Sequence, residues 1–131
     1  MSEDDIHKLI CAWLVFSLPR GSVFHHSPNE GYRHVSYNKR LGTMGTRWGW
    51  PDLEIFTPPA GFRTPSDFRP IFIEVKSKKG RLTENQKLVQ QQLRDAGCYV
   101  FEARSMRDAA ESLAPVLRLL RHPPIEIAGD R

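Results

Sequence analysis

The run Ile71-Phe72-Ile73-Glu74-Val75-Lys76 constrains the fold of this chain more than any other stretch. It is short, apolar on both sides and rich in β-branched and aromatic residues, the signature of a strand buried on two faces. Side chains alternate along a strand, so Glu74 and Lys76 share one face while Val75 points the other way. A carboxylate and an amine are thus carried into an otherwise buried sheet. A second apolar run, Leu53-Glu54-Ile55-Phe56, follows Trp50-Pro51-Asp52, and Asp52 lies 22 positions before Glu74. Paired as neighbouring strands, the two runs bring Asp52 toward Glu74. Two carboxylates, a lysine and a divalent cation are the parts that hydrolyse a phosphodiester.

The rest of the chain reads as a single α/β domain. Ile6, Leu9, Ile10, Trp13, Leu14 and Phe16 to Leu18 recur at helical spacing, with Ser2 as N-cap and Glu3, Asp4 and Asp5 in the first turn, where the helix dipole favours negative charge. Pro19 and Gly21 stop that helix. Val23 to His26 and His34 to Tyr37 read as short extended pieces around a turn at Pro28-Asn29, and Leu41 to Gly49, with its glycines and lack of period, reads as a loop. Leu53 to Thr57 and Ile71 to Lys76 form a hairpin whose connection, Pro58 to Pro70, reads as a surface excursion. Thr83 to Gln86 has the form of a capping box and opens a helix from about Glu84 to Ala96, ended by Gly97. Cys98 to Ala103 reads as a central strand. Ser105 caps a last helix carrying Ala109, Leu113, Val116, Leu117 and Leu120, with Pro115 kinking or restarting it. The expected boundaries are a domain over 1–121 and a fraying tail over 122–131.

Taken with their flanks, these motifs resemble the PD-(D/E)xK nuclease superfamily, and within it the stand-alone VRR-NUC domains of phages and bacteria. The resemblance covers almost the full length. It rests on the acidic start of the first helix, the Pro28-Asn29 loop, Met44-Gly45-Thr46-Arg47-Trp48-Gly49-Trp50-Pro51-Asp52-Leu53, Phe72 to Lys76, Gly80-Arg81-Leu82-Thr83 with Gln86, and Ala96 to Val100 leading to Arg104-Ser105. It implies a restriction-endonuclease-like mixed sheet flanked by helices. It also implies Mg²⁺ or Mn²⁺ as cofactor, held by Asp52, Glu74 and the backbone carbonyl of Val75, with Glu3 joining from the first helix. Asp4 and Asp5 are alternatives to Glu3, and an acidic first turn is also plain helix capping. Gln86 has two readings as well: it closes the capping box, or, as the resemblance implies, it points into the active site. Lys76 is expected to position or deprotonate a water and to offset charge in the transition state. The look-alike domains further imply a homodimer acting on branched DNA such as four-way junctions, a flap or single-strand nuclease and a non-catalytic DNA-binding module being the alternatives.

Charge supports a polyanionic partner. The net charge is +4 with 19 Lys and Arg against 15 Asp and Glu, and its distribution says more than its total. Arg33, Lys39, Arg40 and Arg47 precede the Asp52 strand, and Lys78, Lys79 and Arg81 follow the Glu74 strand, so two basic clusters bracket the carboxylates as a groove for a phosphate backbone requires. No apolar run approaches the about 20 residues of a membrane span, and no secretory pattern is present, which points to the cytoplasm of a bacterium or of a phage's host. Cys11 and Cys98 read as buried hydrophobes, and His25, His26 and His34 lack the ligand spacing of a structural zinc site. Trp48 and Trp50 read as packing residues or as a platform for an unpaired base.

Overall fold

The computed structural model describes residues 1–28 and 35–121. Helix α1 spans Glu3–Ser17, and Ser2 caps it by accepting the Asp5 amide at 3.1 Å. Strand β1 (Val23–His26), helix α2 (Val35–Thr43) and strand β2 (Leu53–Phe56) follow. Strand β3 (Ile71–Val75), helix α3 (Glu84–Asp95), strand β4 (Tyr99–Ala103) and helix α4 (Met106–Leu113) complete the order. The strands form one mixed sheet in the order β1-β2-β3-β4. β1 with β2 and β2 with β3 run antiparallel, while β3 and β4 run parallel, as the α3 crossover between them requires.

Alternation decides which face each residue serves. Leu53, Ile55, Ile71, Ile73, Val75 and Ala103 are fully buried against Ile6, Ile10, Trp13 and Leu14 of α1 and Ala109, Ala110 and Leu113 of α4, which together make the core. The opposite face carries Glu54, Phe72, Glu74 and Val100, and α3 packs there against β4 with Val89 buried. Glu74 and Lys76 therefore lie on the α3 side of the sheet. Because β3 and β4 run parallel, the chain after Val75 turns back through α3, which therefore starts at the Val75 end of the sheet.

Four expectations are corrected. Val35 to Tyr37 belong to α2 rather than to an extended piece, and the helix also takes Leu41 to Thr43 from the supposed loop; His34 lies outside the described residues. β4 is an edge strand, not a central one. It looks central in sequence because helices pack against both of its faces. α4 ends at Leu113. Pro115 cannot donate to a further turn, and Leu117 instead bridges to Phe62. The Pro58–Pro70 connection is no mere surface excursion, because Phe62 is 3% exposed and sits in the core. Residues 29–34 and the expected tail 122–131 lie outside the described residues.

The turn that leads into β2 rests on one glycine. Gly49 has φ +89°, and a Cβ there would come within 2.6–2.8 Å of backbone atoms of Asn85 and Gln86. Only a residue without a side chain lets this loop pass over the first turn of α3. Gly49→Ala is expected to lower stability by roughly 2 kcal/mol or more, since left-handed strain and a backbone clash add; urea denaturation measures it.

Candidate active site

The site begins where the β2–β3 ladder stops. The last paired residues at that end are Leu53 and Ile73, so the amide of Val75 has no strand partner on that side. Asp52 supplies one: its Oδ2 accepts the Val75 N–H at 2.7 Å. This bond holds the Asp52 carboxylate against β3, beside Glu74. Glu74 is 1% exposed, and its Oε1 is buried without a hydrogen-bond partner among the described residues. Lys76 is 8% exposed and lies on the same face.

Burial pushes the Glu74 carboxyl up to about 10, from an ordinary 4.5. The Asp52 carboxyl within hydrogen-bonding reach, and its charge, add to the rise, and the nearby Lys76 ammonium opposes it. Protein atoms alone thus leave Glu74 keeping a proton, with one oxygen unsatisfied. That arrangement fits a divalent cation that prefers hard oxygen donors: two adjacent carboxylates, one of them short of a partner, would hold such an ion with water and substrate phosphate in its other positions. Among the described residues no three His, Cys, Asp or Glu side chains converge on one ion position, so side chains contribute a pair rather than a cage.

The raised Glu74 value has a consequence for stability. The folded, metal-free chain retains a proton that the unfolded chain surrenders above pH 4.5. The resulting stabilisation is complete below that pH and is lost as pH rises toward 10. Melting temperature without metal is expected to fall from about pH 6 to about pH 9, and Glu74→Gln to flatten that fall. An ion that displaces the proton binds more tightly as pH rises. An unchanged slope in the Gln variant would assign the dependence elsewhere.

Helix α1 reaches the same region. Glu3 is exposed, but it is the acidic residue of the first turn whose charge registers at Glu74; Asp5 gives its amide to Ser2. One turn on, His7 shares the face of Glu3. Its ring meets that of His26 edge-on at 4.5 Å and 73°. Burial, then His26, hold His7 below its usual value, against the pull of Asp52, Asp4 and Glu3. His26 Nδ1 lies 3.0 Å from the Asp52 carbonyl oxygen. Neither histidine is picked out by the sequence as part of the site. The i, i+4 spacing from Glu3 is the signal for His7, and His26 needs the β1–β2 register, which sets it opposite Leu53.

Gln86 is tied into the capping box: its Oε1 accepts the Thr83 amide at 2.9 Å, and Thr83 Oγ1 accepts the Gln86 amide at 3.1 Å. The half-buried indole of Trp50 donates to Glu54 at 2.6 Å and packs edge-on to Phe72, which makes it a packing residue. Lys78, Lys79 and Arg81 are exposed on the turn after β3. Arg104 holds that turn, its Nη1 donating to the carbonyls of Ser77 at 2.7 Å, Lys78 at 3.2 Å and Gly80 at 2.6 Å. Lys39 and Arg40 are exposed on α2, whereas Arg47 lies along α3, bonded to Gln92 at 2.6 Å. Arg33 lies outside the described residues. Cys11 and Cys98 are free and half-buried, and no helix among the described residues is long and apolar enough to cross a membrane.

A mixed sheet flanked by helices, with paired carboxylates and a lysine at the ends of two adjoining strands, defines the restriction-endonuclease-like class. Comparison with known proteins agrees: the VRR-NUC domain model matches residues 8–107, and the chain belongs to that family. A solved structure described as a VRR_NUC domain protein superposes with a TM-score of 0.64 at 20% identity, covering 86% of this chain and 85% of the other. No curated protein matches the sequence. The family is one of nuclease-type domains that process DNA, and divalent-metal use is typical of such domains.

Proposed function

We propose that the chain is a divalent-metal-dependent DNA endonuclease that selects DNA by structure and acts as a homodimer on branched substrates such as four-way junctions. The observation that carries this reading is the buried Glu74 beside Asp52, a carboxylate pair that folding leaves short of a partner. Asp52 and Glu74 would hold Mg²⁺ or Mn²⁺ together with the Val75 carbonyl, and Glu3, whose charge reaches Glu74 although its carboxylate does not converge on the pair, would contribute through a water of the ion. When bound, the ion supplies charge neutralisation at the phosphodiester and acidifies water. Lys76, on the Glu74 face, orients the attacking water and offsets charge on the pentacovalent transition state. Gln86, its Oε1 held in the cap, has its amide nitrogen left to reach substrate or water from the first turn of α3. Lys78, Lys79 and Arg81 after β3, with Lys39, Arg40 and Arg47 before β2, track the phosphate backbone, and Arg33, outside the described residues, is proposed to bind it as well. A single small domain offers little surface for reading bases, so shape does the selecting.

The test offers four-way junction, flap, single-stranded and linear duplex DNA to the purified protein with Mg²⁺ and with Mn²⁺, beside a measurement of mass in solution. Preferential, symmetric nicking of junctions by a dimer is expected. A monomer that trims flaps or single strands would replace the junction reading and keep the metal site. Binding without cleavage of any DNA would favour the non-catalytic module. Lys78→Ala with Lys79→Ala is expected to weaken binding to all these DNAs alike and to make the log–log salt dependence shallower by about 1 for each phosphate that is no longer neutralised.

A further inference from the structure

We infer that His26, braced by His7, is a positioning residue that aims the Asp52 carboxylate; this rests on the metal-site reading above. Asp52 is gripped at both ends. Its Oδ2 takes the Val75 amide at 2.7 Å, and its carbonyl oxygen takes the Ser27 amide at 2.9 Å and faces His26 Nδ1 at 3.0 Å. A carbonyl can only accept, so the proton of His26 sits on Nδ1 and the bond fixes both tautomer and ring orientation. The ring so fixed abuts His7, which α1 carries one turn after Glu3. Two touching rings therefore link the first helix to the backbone of the residue that begins β2.

The bond matters because of where β2 begins. Asp52 stands just beyond the last β2–β3 pair, and on the β1 side its carbonyl is held by the Ser27 amide, one position past the last β1–β2 pair, and by His26. A carboxylate displaced by a fraction of an ångström at the edge of an ion site loses affinity, and groups that orient ligands typically change metal affinity by about tenfold or more when removed.

The experiment measures Mn²⁺ binding by calorimetry without DNA, together with melting temperature, for the parent, His26→Ala, His26→Asn and His26→Gln. The Asn amide nitrogen can stand where Nδ1 stands, whereas that of Gln reaches further, toward the Nε2 position. Ala and Gln are expected to weaken Mn²⁺ binding about tenfold and Asn to stay within about twofold of the parent. A role in packing alone would rank the variants by size and put Gln ahead of Asn. Equal affinities for parent and His26→Ala, or Gln at or above Asn, would overturn the inference and leave the metal site standing. Failure of the parent itself to bind Mn²⁺ would overturn the metal reading and the inference with it. Comparison of the folded Asn and Gln variants decides the matter even where Ala fails to fold.

Discussion

Glu74→Ala is expected to lower kcat at least roughly a thousandfold, about 4 kcal/mol of lost transition-state stabilisation. Glu74 is fully buried with an unsatisfied oxygen, so it costs the metal-free fold something, and removing it need not cost stability. The variant should therefore remain folded, lose Mn²⁺ binding in calorimetry and keep most of its affinity for DNA, because affinity comes from the basic residues and not from the carboxylates. Asp52→Ala should do the same to turnover while also releasing the Val75 amide. Near-normal turnover in a folded Glu74→Ala protein would end the assignment of this site.

Lys76→Ala is expected to lower kcat by a factor of about 10² to 10³ and to leave an ion bound, because the amine acts on developing charge and is not a ligand. Its loss also has a sign that can be checked. The Lys76 ammonium now holds the Glu74 carboxyl down against burial and Asp52. Without it the proton is kept more firmly, but a divalent ion is relieved of twice the repulsion that the proton is, so metal binding at a given pH is expected to hold or tighten rather than weaken. Complete loss of metal binding would show instead that the amine is required to hold the two carboxylates together.

The centre of the site was legible because strand periodicity is local: Glu74, Val75 and Lys76 need only alternation, and Asp52 only the start of the next apolar run. The capping box at Thr83 and the turn at Gly97 were legible for the same reason, each being complete within a few residues. What required the third dimension was missed. α2 combines weak helix formers, with Val35, Ser36, Tyr37 and Asn38 at its start and Gly42 and Thr43 at its end, so that propensity does not announce it. β4 is as apolar as a central strand because helices cover both of its faces. A lone Phe62 among prolines and polar residues has no period to announce it. Gln86 satisfied two readings at once, and its side chain is found in the cap.

Phe62 also sets the smallest fragment that can stand alone. Its connection is strapped from outside: Arg63 N donates to Val116 O at 2.9 Å, Arg118 N to Gly61 O at 2.8 Å, and Leu120 N to Ser17 O at 2.7 Å. The segment beyond α4 thus ties the long β2–β3 connection to the end of the first helix and closes the bottom of the core, opposite the site. A protein trimmed to the matched residues 8–107 would lose this strap, most of α4 and Glu3 together. Anyone grafting the nuclease module onto another polypeptide should carry it from Ser2 through Leu120 and fuse beyond those points.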